Sequence, residues 1–393
     1  MNRIKYCLSK NCRLFLGLTL HNIGFILSVV GEKGIANKFL SILGLLLILI
    51  SFFQYGFKNK LSKILTVLVS VLLVYETTII FRFEENIFDL TDTDVQRKMF
   101  FDERFFLSYF LPLICFLKKV DFKAASFFCI INLCIAVVML FTFRNEIVLY
   151  DTSVYSSWIV ESICLLAIPV SLLLYLSFTI NIRTVIFIII SYLVLLLTSI
   201  WLGRRSVSFE LLVALLIFVY LNAKNIKIFV GCIIILMISF SYIEKIYNSD
   251  NSKLKDRLEI DNRSPEDKDV LNSLTGIYYY IGKGIDGEYY SHAYCMKRGI
   301  AETGFSHMML KGGLVFVFLY IIIMLRAIFL GFFHSKNKFS KGLAFYVLVQ
   351  LVSMYPLPIP AMNLQCFILW YSIALLDNKG IRYTNDEHLL KII

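Results

Sequence analysis

Residues 302–330 read ETGFSHMMLKGGLVFVFLYIIIMLRAIFL. The stretch leaves a long polar segment at Glu302 and Thr303. Over 307–330 it carries only Lys311 and Arg326 as full charges, and it is long enough as a helix to cross a hydrocarbon core of about 30 Å. Immediately before it lies the turn Gly282-Lys283-Gly284, in a segment dense in tyrosine. The passage from polar segment to apolar run sets a carboxylate, an imidazole and backbone donors where water meets bilayer.

Apolar runs of comparable length recur at 14–30, 38–55, 62–81, 104–117, 123–143, 159–180, 184–202, 206–222, 226–243, 341–355 and 359–376, giving about twelve spans with 307–330. The chain of 393 residues is 58% hydrophobic and 17% charged, with a mean hydropathy of +0.74. That is too little polar surface to cover a soluble globule of this size. The fold expected is all-α and polytopic, one transmembrane domain over 1–393 with an extracytoplasmic loop, 244–305, between spans 9 and 10. Arg3, Lys5, Lys10 and Arg13 precede the first run in the manner of a signal peptide, yet no small-x-small cleavage site follows, so the run reads as an uncleaved helix.

The net charge of +11 is distributed as membrane topology rather than as a nucleic-acid surface. The N-terminus, Lys58/Lys60/Lys63, Lys118/Lys119/Lys123, Arg183, Lys224/Lys227, Arg326 with Lys336/Lys338/Lys341, and Lys379/Arg382/Lys391 fall on one side, which the positive-inside rule makes cytoplasmic. The acidic loop 82–104, the 144–158 loop, 203–205, 244–305 and the Pro356/Pro358/Pro360 turn fall on the other. Both termini are then cytoplasmic. Of nine cysteines only Cys295 belongs to the large outside loop, which excludes a disulfide framework there, and the five histidines show no metal-ligand spacing.

Gly203-Arg204-Arg205 is the exception to the charge bias: two arginines in a short outside turn. Guanidinium suits bidentate phosphate binding, and the helix opening at Ser206 turns its free N–H groups to the same surface. The alternative is an ion pair with Glu210 or Glu76, the two carboxylates placed within spans. His307 stands near the start of another inward-running helix, with Ser306 or Thr303 as cap, where imidazole can accept a proton. Glu302 can orient His307 or act as base itself, or serve only as a helix-capping acid. Gly312-Gly313 permits close approach of a neighbouring helix or acyl chain.

In the loop, Asn262 to Pro265 reads as a break and helix start, with Ser264 as cap and Pro265 at the first helical position. Arg257, Arg263, Lys283, Lys297 and Arg298 add positive charge, read mostly as solvated. The tyrosines suit sugar rings or an interfacial aromatic belt, and Tyr278–Tyr280 read as belt. Lys283, Gly284, Tyr289, Tyr290 and Lys311 are the substrate-contact candidates.

Four features together resemble the O-antigen polymerase and O-antigen ligase superfamily, polytopic glycosyltransferases of the GT-C type. These are Gly203-Arg204-Arg205-Ser206 opening a span, a large outside segment between late spans, Gly282-x-Gly284, and His307-x-x-Leu310 followed by Gly312-Gly313. Met308 stands where the family commonly has Asn. The resemblance implies a metal- and cofactor-independent, inverting transfer of glycan from undecaprenyl pyrophosphate to a sugar hydroxyl at the outer face of the bacterial inner membrane. Arg204, Arg205 and one of Arg257 or Arg263 would bind pyrophosphate, and His307 with Glu302 would take the acceptor proton. The reaction implied is polymerisation of lipid-linked repeats for O-antigen, capsule or exopolysaccharide, with a chain-length regulator and a flippase as protein partners. Ligase-type transfer to lipid A core uses the same donor chemistry. A lipid-linked oligosaccharide flippase or transporter is the further alternative, which duplicated halves or midplane charges would favour.

Overall fold

The computed structural model describes residues 10–30, 35–57, 59–82, 106–117, 121–149, 154–222, 263–355 and 361–392. The expected span 226–243, Arg257 and the Pro356/Pro358/Pro360 turn lie outside the described residues. In chain order the helices are α1 (Lys10–Val29), α2 (Ile35–Tyr55), α3 (Lys63–Phe81), α4 (Phe122–Thr142), α5 (Arg144–Leu149), α6 (Val154–Ala167), α7 (Ser171–Tyr175), α8 (Ile182–Trp201), α9 (Arg205–Leu221), α10 (Arg263–Ser273), α11 (Tyr278–Ile281), α12 (Gly304–Phe333), α13 (Lys338–Ser353), α14 (Leu364–Asp377), α15 (Lys379–Tyr383) and α16 (Asp386–Ile392). A 3₁₀ helix, Phe106–Phe116, lies between α3 and α4, and β1 (Tyr289–Ser291) pairs antiparallel with β2 (Met296–Arg298). Among the described residues five helices, α2, α3, α4, α8 and α12, are long and apolar enough to cross a membrane. The protein is a mostly helical, multi-pass membrane protein.

Helix starts follow local chemistry. Ser62, Asp121, Thr303, Asn337 and Asn363 each accept a hydrogen bond from a backbone N–H in the first turn of α3, α4, α12, α13 and α14, satisfying donors that no preceding turn can reach. Helix α10 begins at Arg263, ahead of the expected cap Ser264, so Pro265 falls inside its first turn. The continuous span expected over 159–180 is interrupted: Pro169 lacks an N–H and crowds the carbonyl four residues back. The chain passes through a 3₁₀ turn at Ile168–Val170 before resuming as α7. The hydroxyl of Tyr192 donates to the Ala167 and Ile168 carbonyls beside that break, at 2.9 and 3.2 Å.

Two compact units divide the chain. One draws on Met1–Phe25, Gly34–Val120 and Asp261–Asn385; the other on Ile26–Lys33, Asp121–Ile260 and Asp386–Ile393. In the first, α1 and α2 meet through glycine: a Cβ on Gly44 would stand 2.6 Å from the Gly17 carbonyl oxygen, so only glycine allows the approach. The first unit also contains α3, the 3₁₀ helix, α12 and α14, packed on one another around Tyr109, Phe316, Tyr320 and Trp370. The second packs α4, α6, α8 and α9 around Tyr192, Leu195, Leu211 and Phe218. Cys12, Cys115, Cys129, Cys164 and Cys366 are buried and form no disulfide, as small packing residues.

One ion pair joins three elements of the first unit. Arg326 on α12 donates to Asp377 at 2.6 Å and to the Ser62 hydroxyl at 2.9 Å, and Asp377 also accepts from the Ser62 backbone N–H at 2.5 Å and its hydroxyl at 2.7 Å. Asp377→Ala leaves the guanidinium without its carboxylate and is expected to cost about 3–5 kcal/mol. A thermal-denaturation midpoint in detergent checks this. The paired replacement Arg326→Met with Asp377→Leu should recover much of the loss.

Candidate functional site

Residues Gly304–Phe333 are one helix in extent and two in geometry. At Gly313 the backbone takes φ 66° and ψ −168°, outside the helical region, and α12 is divided into Gly304–Gly312 and a second half from Leu314 to Phe333. A break of this kind leaves the carbonyls of the preceding turn without their helical N–H partners. Three of them find substitutes. The Lys283 N–H donates to Leu310 at 2.8 Å, the Gly284 N–H to Lys311 at 3.0 Å, and the Tyr75 hydroxyl of α3 to Gly312 at 2.7 Å.

The glycine turn is thus a docking device. Gly282 (φ 69°) and Gly284 (φ 94°) occupy the left-handed region that glycine adopts without strain. A Cβ at Gly282 would come 2.5 Å from the Gly312 nitrogen, and one at Gly284 would collide with the Arg82 carbonyl. Arg82, at the end of α3, closes the arrangement by donating to the Ile281 and Gly282 carbonyls at 2.6 and 3.0 Å. From the other side the Lys311 ammonium reaches out of α12 to the Ile285 and Gly287 carbonyls, each at 2.9 Å. Lys283 donates through its ammonium to the Glu288 carbonyl at 2.8 Å.

Around this turn the described part of the loop, from Arg263 onward, is a small folded lobe with a polar interior. Glu266 on α10 is 1% exposed and is paired with Arg298 of β2, while the Tyr289 hydroxyl of β1 donates to the same carboxylate at 2.5 Å. Arg298 also lies 3.8 Å from Glu302 and 4.3 Å above the Tyr294 ring, and the Tyr294 hydroxyl donates to Glu302 at 2.5 Å. Burial pushes the Glu266 carboxyl up, opposed by the Tyr289 hydroxyl and the Arg298 charge. Burial, then the hydrogen bond to Glu302, raises Tyr294 to about 12. Asp269 is held below its ordinary range, first by the His292 backbone N–H. Asp267 accepts from the hydroxyls of Thr303 and Ser306 at 2.7 and 2.5 Å, tying α10 to the first turn of α12.

The candidate residues now have places. His307 and Lys311 stand four residues apart, on one face of the first half of α12. His307 is 1% exposed. Glu302, two residues ahead of that helix, is engaged by Tyr294 and Arg298. Gly284 and Lys283 hold the break through their backbones. Tyr289 is buried on Glu266, whereas Tyr290 is 51% exposed with its ring against His292. Arg263 opens α10. In the other unit Arg204 precedes α9 and Arg205 begins it; Arg204 pairs with Glu161 of α6 at 2.7 Å, a partner the sequence reading did not single out.

Arg298, read as solvated, is instead the centre of the lobe's charge network, and Glu266, Asp267, Tyr75 and Arg82 were not singled out for any such role. Their signal is tertiary: the partners of Glu266 are 23 and 32 residues away, and the carbonyls that Arg82 binds are 199 and 200 residues away. Among the described residues no group of three or more His, Cys, Asp or Glu side chains is arranged to hold a metal ion. No family model, characterised protein or solved structure matches the chain.

Two substitutions test the docking. Gly284→Ala is expected to release the turn from α12 and expose the lobe to protease. Gly276→Ala, at φ 59° with open space around its Cβ position, should cost only backbone strain of about 1–2 kcal/mol and leave the cleavage pattern unchanged. Arg298→Ala leaves the buried Glu266 carboxylate short of a partner, at an expected cost of about 1–3 kcal/mol. Faster amide exchange across 263–298, with α13 and α14 unaffected, is the result that checks it.

Proposed function

We propose that the protein is a polymerase of undecaprenyl-pyrophosphate-linked oligosaccharide repeats, acting at the outer face of a bacterial inner membrane. The observation that carries the reading is the convergence of Lys283, Gly284, Glu302, His307 and Lys311 on the first half of α12. A folded polar lobe is fastened there to the end of an apolar helix. A lipid-linked substrate needs such a place, with its sugars in water and its tail in hydrocarbon. The apolar side chains exposed on α12 begin at Leu314 and continue through Phe318, Leu325 and Phe329 to Phe333. Those 20 residues are about 30 Å of helix, one hydrocarbon thickness. The reading therefore sets the outer boundary near Gly313, with the lobe outside it and twelve spans with both termini cytoplasmic.

In the reaction the acceptor hydroxyl oxygen forms a bond to the donor sugar C1 as the bond from C1 to the pyrophosphate oxygen breaks, with inversion. His307 takes the hydroxyl proton, Glu302 positions it, and the lipid pyrophosphate leaves with both bonding electrons. One of Arg257 or Arg263 is assigned to the departing oxygens. Arg204 and Arg205 form a separate cationic element, assigned by the reading to pyrophosphate as well. Because His307 is buried in this conformation, the reading requires the lobe to lift before substrate reaches the imidazole.

Purified protein incubated with synthetic lipid-pyrophosphate repeats and chelator is expected to build a ladder of polymer. His307→Ala should lower the rate by at least about two orders of magnitude, the ordinary contribution of a general base. Arg204→Ala with Arg205→Ala should lower it similarly while the protein inserts normally. Full-length polymer from both variants would end the proposal, and one transfer to a non-repeat acceptor without a ladder would identify the ligase-type reaction instead.

A further inference from the structure

The buried stripe of α3 runs Leu65, Val69, Leu72, Glu76, Ile79 and Ile80, apolar at every position but one. Glu76 is 1% exposed, and among the described residues neither of its carboxyl oxygens has a hydrogen-bond partner. It lies six residues before Arg82, about 9 Å along the helix axis and inside the apolar part of α3. Val71, Val74 and Phe81 are exposed on the same helix, so the carboxyl faces the protein and not the lipid.

Its surroundings come from three other elements. The 3₁₀ helix supplies Tyr109 and α12 supplies Tyr320, both buried and within electrostatic reach of Glu76. Behind Tyr320, helix α14 supplies Trp370, the two ring centroids 5.2 Å apart. Among the described residues the cations of these elements lie elsewhere: Arg82 on the Ile281 and Gly282 carbonyls, Lys311 on the Ile285 and Gly287 carbonyls, Arg326 on Asp377, and Lys63 exposed at the opposite end of α3. An ionised carboxylate cannot stay in such a place uncompensated, since the desolvation cost far exceeds what hydroxyl dipoles return. Among the described residues no side-chain cation meets Glu76, so its setting calls for a proton or another small cation as the counter-charge.

We propose that Glu76, with Tyr109 and Tyr320 beside it, is an intramembrane site that reversibly binds one small positive charge, a proton or a sodium ion. The hydroxyl oxygens of the two tyrosines are acceptors able to turn toward a sodium ion, and toward a proton the same hydroxyls serve as hydrogen-bond relays. An aromatic file joins the site to the broken helix: Trp370 meets Tyr320, Tyr320 meets Phe316 at 5.6 Å, and Phe316 lies against Tyr75 at 6.4 Å, which holds the Gly312 carbonyl. This inference does not depend on the glycosyl-transfer reading, and either can fail without the other.

Infrared spectroscopy of the full-length protein in lipid nanodiscs tests it, alongside labelling by dicyclohexylcarbodiimide, an apolar reagent that attacks protonated carboxyl groups. The expected result is a protonated carboxyl C=O band that Glu76→Gln removes, with the labelled peptide containing residue 76 in the wild type and no label there in the variant. If the ligand is a proton, the band and the labelling disappear as pH rises, whatever salt is present. If it is sodium, both are suppressed at constant pH by Na⁺ and not by K⁺. A band that neither pH nor Na⁺ alters marks a fixed structural acid and overturns the proposal. So does a wild-type spectrum identical to that of Glu76→Gln under every condition.

Discussion

The constraint on which most of the first unit depends is the set of carbonyls released at Gly313. An apolar helix that breaks inside a protein must find donors for the peptide oxygens of its last turn, because neither lipid nor packed side chains supply them. Leu310, Lys311 and Gly312 are served by two N–H groups of the glycine turn and one tyrosine hydroxyl from α3. Removing any of these strands a buried oxygen, so the break, the turn and the end of α3 form one cooperative unit. The lobe inherits its position from that unit, and Arg82 and Lys311 act as clamps on its two sides.

The same accounting separates two kinds of buried charge in this chain. Arg326 with Asp377, Arg298 with Glu266 and Arg204 with Glu161 are compensated within the protein, each tying elements that are distant in sequence. Such pairs specify how helices meet more than they add to stability, since desolvation offsets much of the attraction. Glu76 differs because, among the described residues, its neighbours offer hydroxyl groups and no cation. Its setting resembles theirs in burial and departs from them in charge balance, and that difference is the ground of the proposed cation site.

Much of the fold was legible because the dominant signal is local. Apolar runs locate α2, α3, α4, α8 and α12 to within a few residues, and Thr303 was available as a cap by its type and place. The glycine turn and Gly312-Gly313 drew notice as motifs, but their mutual docking could not be read, since nothing in either stretch names the other. Proline marked the interruption at Pro169 only once the run of 159–180 was seen to contain it at a helix-interior position. The charge network of the lobe was the least legible part. Arg298 looks like any other loop arginine until the fold brings Glu266 to it, and only then does burial change its meaning.

The division of α12 also bears on how the lobe can move. Its second half, Leu314–Phe333, is fixed by Arg326 and by packing on α13 and α14, whereas its first half is tied to the lobe through Asp267, Lys311 and the glycine turn. Gly313, at φ 66°, separates the two halves in a conformation that only glycine adopts without strain. The first half, carrying His307 and Lys311, is thus tied to the lobe and, through the Gly304 N–H on the Met354 carbonyl at 2.6 Å, to the end of α13. Any opening that uncovers His307 must break the contacts at Tyr75 and Arg82 on α3 before it strains the membrane helix, so α3 is the element against which the candidate site would open.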